Sequence, residues 1–139
     1  MTATSSSTPR ILLMGCGAVG GVIAGQLLHA GYHLDIVTHN PDIGRTIAEE
    51  GLRLVTPEGT RTLPAAICAD ACSDVSDVGG RFDIVLLAMK ATDVAAAARQ
   101  VRPSLAPDAM VVTLQNGIVE DQVAEILSDR DSSTDSPVI

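Results

Sequence analysis

The stretch RILLMGCGAVGGVIAGQLLHAG, which begins at Arg10, constrains the fold of this 139-residue chain more than any other. An apolar run ends at Gly15, as a buried strand does. From Ala18 onward, Val19, Val22, Ile23 and Leu27 recur at the spacing of one helix face, and Gly31 suits the helix end. Between strand and helix lies Gly15-Cys16-Gly17-Ala18-Val19-Gly20. A GxGxxG pattern alone is common by chance, but in this setting each glycine has a physical task. Gly15 permits the tight turn. Gly17, without a Cβ, lets a pyrophosphate reach the amides at the helix N-terminus, where the dipole favours an anion. Gly20 allows the helix to pack close to the strand, and Gly21 and Gly25 extend that small face. Turns of this kind also hold FAD or S-adenosylmethionine, so the turn by itself leaves the ligand open.

The rest of the chain repeats the alternation. HLDIVTH (33–39) reads as a second strand, and Pro41 starts a helix with Ile43, Ile47 and Ala48 inward, closing at Gly51. LRLVTPEGTRTLPAAIC has a Pro-Glu-Gly turn between two extended runs, a hairpin or a strand with an excursion. FDIVLLAMK (82–90) is the clearest strand, followed by an alanine-rich helix over 92–101 that Pro103 stops. AMVVTLQNG (109–117) predicts another buried strand, and 119–127 a short helix. This order predicts an α/β fold of the Rossmann type, a doubly wound, mostly parallel sheet. The ordered domain is expected over 10–127, between disordered tails at 1–9 and 128–139.

Composition agrees and excludes several functions. Hydrophobic residues make up 46% of the chain and aromatics only 1%, so aliphatic side chains must build the core, as in sheets buried on both faces. Net charge is −8 and the basic residues are scattered, which argues against nucleic acid or an anionic membrane as partner. No apolar run approaches the ~18 residues of a membrane span, and the N-terminus has no signal-peptide core, so a cytoplasmic location is expected. Cys16, Cys68 and Cys72 match no metal-ligand spacing and read as free thiols.

Three positions at strand ends carry chemistry. Ligands of open α/β sheets bind beyond the carboxyl ends of the strands, near the switch in strand order. Lys90 ends IVLLAMK and Asn116 ends MVVTLQN. A lysine there can donate to ribose or substrate oxygens, and a carboxamide can both donate and accept. The tip of the second strand, Thr38-His39-Asn40, offers no carboxylate to the adenosine ribose. Asp35 lies too early in the strand, Arg45 could reach a 2′-phosphate, and Asp42 could repel one.

Taken together, ILLMGCGAVGGVIAGQLLHAGYHLDIVT, GLRLVTPEG, DIVLLAMKATDV and LQNGI resemble the ketopantoate reductase (2-dehydropantoate 2-reductase) family over residues 10–127. The resemblance implies an oxidoreductase of pantothenate biosynthesis. Hydride would pass from NADPH to the ketone of a 2-oxo acid, giving a 2-hydroxy acid such as pantoate. It implies that Gly15, Cys16, Gly17, Ala18, Val19 and Gly20 hold the pyrophosphate. Lys90 would contact the cofactor, and Asn116 both the nicotinamide-side ribose and the substrate.

Two departures qualify what the resemblance implies. The family usually places an arginine after the second strand to grip the 2′-phosphate, where this chain has His39, a weaker phosphate partner; NADP(H) stays favoured and NAD(H) becomes an alternative. The family also continues into a helical C-terminal domain that supplies the proton-donating lysine and most of the substrate pocket. That domain is expected to be absent here, leaving no catalytic residue and a sheet without its last strand. The chain is then a cofactor-binding domain with little activity alone, completed by a homo-oligomer or a separate C-terminal half. The alternatives are a non-catalytic NAD(P)-sensing or partner-binding module, or another dehydrogenase or methyltransferase-like fold sharing only the turn.

Overall fold

The computed structural model describes residues 8–64, 66–67, 75–128 and 138–139. Five parallel strands form the main sheet: β1 (Ile11–Met14), β2 (Leu34–Val37), β5 (Ala66–Ile67), β6 (Phe82–Leu87) and β7 (Leu105–Thr113), in the order β5-β2-β1-β6-β7. Four helices join them: α1 (Ala18–His29), α2 (Pro41–Glu50), α3 (Val94–Val101) and α4 (Glu120–Ser128). The expected hairpin is present as β3 (Leu52–Thr56) paired antiparallel with β4 (Gly59–Leu63), inserted between α2 and β5. Parallel neighbours require crossovers: α1 joins β1 to β2, α2 and the hairpin join β2 to β5, and α3 joins β6 to β7. This is the doubly wound Rossmann-like arrangement that the alternating pattern predicts.

Two aliphatic cores flank the sheet, and β1 divides its side chains between them because strand residues alternate faces. Leu12 and Met14 join Val85, Leu87, Val94, Ala98, Val101 and Val123 under α3 and α4. Ile11 and Leu13 join Ala24, Leu34, Ile36, Ile47 and Leu86 under α1 and α2. All four residues of β1 are buried, as a strand covered on both faces must be.

The face that α1 buries matches the expected one in part, since Ile23 and Leu27 pack against the core. Val19 and Val22 are each 56% exposed, while Gly20, Ala24 and Gly25 are buried. Small residues let the helix backbone approach its neighbours, and that contact turns the two valines outward. A Cβ at Gly25 would stand 2.9 Å from Leu54 Cδ1, so α1 rests closely on β3. Along α2, Ile47 is buried and Ile43 packs on the core as expected, whereas Ala48 is exposed and Gly44 is buried in its stead.

Two boundaries also move. A 3-10 turn, Ala91–Asp93, precedes α3. The tail expected from Ser128 onward is ordered at both described ends. Ser128 closes α4, its Oγ donating to the Glu125 carbonyl at 3.0 Å. Val138 bridges Val111 in parallel, and the Ile139 amide donates to the Val111 carbonyl at 2.9 Å. Main-chain pairing thus covers part of the β7 edge that the sequence leaves bare, the usual remedy for an open strand. Cys16 is a free, buried thiol, while Cys68 and Cys72 lie outside the described residues.

Candidate functional site

The glycine turn sits where β1 meets β6, the point at which strand order reverses. Gly15 adopts φ +95°, a conformation costly for any residue with a Cβ. An added Cβ there would lie 2.9 Å from the Met89 amide nitrogen and 3.0 Å from the Ala88 carbonyl carbon. At Gly20 it would strike the Gly15 carbonyl oxygen and approach Ala88 Cβ. These two glycines are therefore demanded by packing. Gly17 differs: an added Cβ would meet nothing within 4 Å. It is the N-cap of α1, no side chain caps the helix, and no acidic residue occupies its first turn. The result is a cradle open to solvent, lined by backbone amides and favourable to an anion.

The other residues of the turn contribute backbone alone. Ala18 and Val19 are exposed, whereas the Cys16 side chain points into the layer under α1 and α2. There it lines a mostly apolar cavity of about 330 Å³ with Gly21, Ile43 and Leu52. Burial pushes the Cys16 thiol above its ordinary pKa of 9.0. Any part Cys16 plays toward a ligand falls to its amide.

Lys90 and Asn116 stand on neighbouring loops beyond the carboxyl ends of β6 and β7, and both are exposed. Lys90 begins the 3-10 turn, its carbonyl accepting from the Asp93 amide at 2.9 Å. Neither side chain makes a hydrogen bond or ion pair among the described residues. Both strands end earlier than the sequence suggests, at Leu87 and Thr113, which leaves each residue on a short loop facing the turn's end of the sheet.

Between them lies Gln115, which sequence reasoning passed over. Its Nε2 donates to the Leu87 carbonyl at 2.8 Å and to the Met89 carbonyl at 2.9 Å. Its Oε1 is buried without a partner among the described residues. The signal was present in the sequence as the polar residue before Asn116, but only the pairing of β6 with β7 shows its reach.

At the tip of β2, His39 is exposed and Thr38 buried. Asn40 caps α2, its Oδ1 accepting from the Asp42 amide at 2.9 Å and the Ile43 amide at 3.4 Å. Arg45 pairs with Asp42 at 3.4 Å. Asp35 is held at the opposite end of the sheet by Arg10 at 3.0 Å, well removed from any ribose at the tip.

Residues 11–133 match the family described as ketopantoate reductase PanE/ApbA. The chain belongs to the ketopantoate reductase family. Among curated relatives, the 2-dehydropantoate 2-reductase of Halobacterium salinarum is 32% identical over 109 residues, covering 78% of this chain and 34% of the relative. That of Mycobacterium tuberculosis is 32% identical over 130 residues, covering 93% and 40%. A PanE/ApbA family ketopantoate reductase from Ralstonia eutropha, solved by crystallography, superposes with a TM-score of 0.73 at 33% identity. That superposition covers 93% of this chain and 39% of the crystallised one. The chain thus spans between a third and two fifths of the length of the family members it matches. Among the described residues, no helix is long and apolar enough to cross a membrane.

Proposed function

We propose that this chain is the nicotinamide-dinucleotide-binding unit of a cytoplasmic 2-oxo acid reductase acting on 2-dehydropantoate. The observation that carries the reading is the open cradle at Gly17, beside an uncapped helix N-terminus and in line with the unpartnered Lys90 and Asn116. The turn from Gly15 to Gly20 would hold the pyrophosphate through main-chain amides, with Lys90 donating to cofactor oxygens. Asn116 has both a donor and an acceptor, which suits a ribose hydroxyl and a substrate oxygen at once. The cofactor supplies the hydride. A ketone taking hydride needs a positioned acid, and no residue of this chain is given that role. We place it in the part of the longer relatives that this chain does not match, contributed by a second domain or subunit.

NADP(H) is favoured over NAD(H). The β2 tip itself, Thr38-His39-Asn40, carries no carboxylate to accept from a ribose: Asp35 is held by Arg10 at the opposite end, and the exposed Asp42 lies beyond the tip beside Arg45. His39, exposed at the β2 tip, is the residue this reading assigns to a 2′-phosphate. Calorimetric titration of the purified chain tests both statements. NADPH is expected to bind, and to bind more tightly than NADH. Absence of binding by either at millimolar concentration overturns the reading, and tighter NADH binding overturns the preference.

A further inference from the structure

We infer that Gln115 is a positioning residue, whose carboxamide sets the peptide carrying Lys90 and the chain entering Asn116 in one fixed relation. The inference rests on the reading of this end of the sheet as a nicotinamide-dinucleotide site. A carboxamide nitrogen has two hydrogens, and both are engaged, on the Leu87 and Met89 carbonyls. The amide's orientation is settled by those partners, because the reverse one would turn Oε1 toward two carbonyl oxygens. The Leu87 carbonyl also accepts from the Leu114 amide at 3.0 Å, so it is tied to both the main chain and the side chain beyond β7. The Met89 carbonyl belongs to the peptide bond whose nitrogen is Lys90. Fixing it fixes the direction in which the Lys90 side chain leaves the loop.

The peptide between those two carbonyls abuts the glycine turn, since a Cβ at Gly15 would press on the Ala88 carbonyl and the Met89 amide nitrogen. Gly15, Met89 and Gln115 thus form a continuous contact from the pyrophosphate cradle to Asn116. The buried, unpartnered Oε1 is informative as well. An unsatisfied acceptor costs stability, and an apolar side chain of similar shape would avoid that cost. Glutamine is suited to this position by what its NH2 group orients, and such local conflicts concentrate at functional sites.

A double-mutant cycle on NADPH affinity separates positioning from a general structural role. Wild type, Gln115→Met, Lys90→Ala and the double variant are titrated by calorimetry, with thermal melting recorded for each. Gln115→Met is expected to weaken binding about tenfold in the wild-type background and by less than about twofold when Lys90 is already alanine. Wild-type affinity in Gln115→Met, or losses that multiply in the double variant, overturns the inference. If Gln115→Met does not fold, Gln115→Asn replaces it, since its shorter arm cannot span both carbonyls. If neither folds, Gln115 is a determinant of the fold and the inference is overturned. Failure of the wild type to bind NADPH is a separate result that removes the functional reading itself.

Discussion

The two ends of the sheet use polar side chains in opposite ways. At the amino end, Arg10 engages nearly everything within reach. Its Nε and Nη2 donate to Asp35 at 3.2 and 3.0 Å, its Nη1 to the Gly79 carbonyl at 2.7 Å, and its guanidinium lies 4.6 Å from the Phe82 ring centroid. Its main-chain amide donates to Asp83, and Arg81 reaches the Leu105 carbonyl. Those contacts join β1, β2, β6 and β7. At the carboxyl end, Lys90 and Asn116 are exposed and find no partner among the described residues, while Gly17 faces open space. At the amino end, the polar groups that hold strands together are satisfied within the protein. Those left unsatisfied at the switch point are available to a ligand.

Substitutions can break or sharpen this contrast. The largest effect is expected from Gly20→Val, at the carboxyl end but committed to packing. Its Cβ would meet the Gly15 carbonyl, and overpacking of that kind costs about 3 kcal/mol or more. Thermal or denaturant unfolding should show it, and a native-like midpoint would mean that the turn relaxes freely. Next comes Arg10→Ala, which leaves the largely buried Asp35 carboxylate unpaired and is expected to cost about 2 kcal/mol of stability. NADPH affinity should not change, and a loss of affinity without a loss of stability would erase the division between the ends.

Gly17→Ala should do the reverse. The added methyl meets no protein atom, so the melting temperature is expected to hold while NADPH binding weakens about tenfold, or about 1.4 kcal/mol. The smallest effect concerns Cys16. Its folded thiol keeps its proton above pH 9.0, whereas the unfolded thiol loses it near the ordinary value. Above that value the unfolded state binds fewer protons, so stability falls as pH rises until the folded thiol also ionises. Urea midpoints from pH 8 to 10 should decline more shallowly in Cys16→Ala than in the wild type.

Much of this was legible in sequence. The strand, turn and helix at Arg10–Gly31 follow from an apolar run, a glycine cluster and a helical repeat, all local signals. The helix start at Pro41 and the turn at Pro57-Glu58-Gly59 are local as well. On α1, Ile23 and Leu27 face the core as expected, but Val19 and Val22 do not, because close packing on Leu54 rewards the residue without a side chain. Gln115 escaped notice because its partners, Leu87 and Met89, are distant in the chain and adjacent only across β6 and β7. The pairing of Val138 was hidden for the same reason, since Val138 has no periodicity of its own and pairs only because β7 offers an edge.

By itself, the sequence determined the fold class, the family and the glycine turn, because each is encoded in short-range pattern and in the order of the elements. Tertiary structure alone decided that Val19 and Val22 turn outward while Gly25 rests on Leu54. It decided that Arg10 neutralises Asp35, and that the loops bearing Lys90 and Asn116 are joined through one carboxamide. Those outcomes depend on distances between residues far apart in the chain, and only the register of parallel strands fixes them.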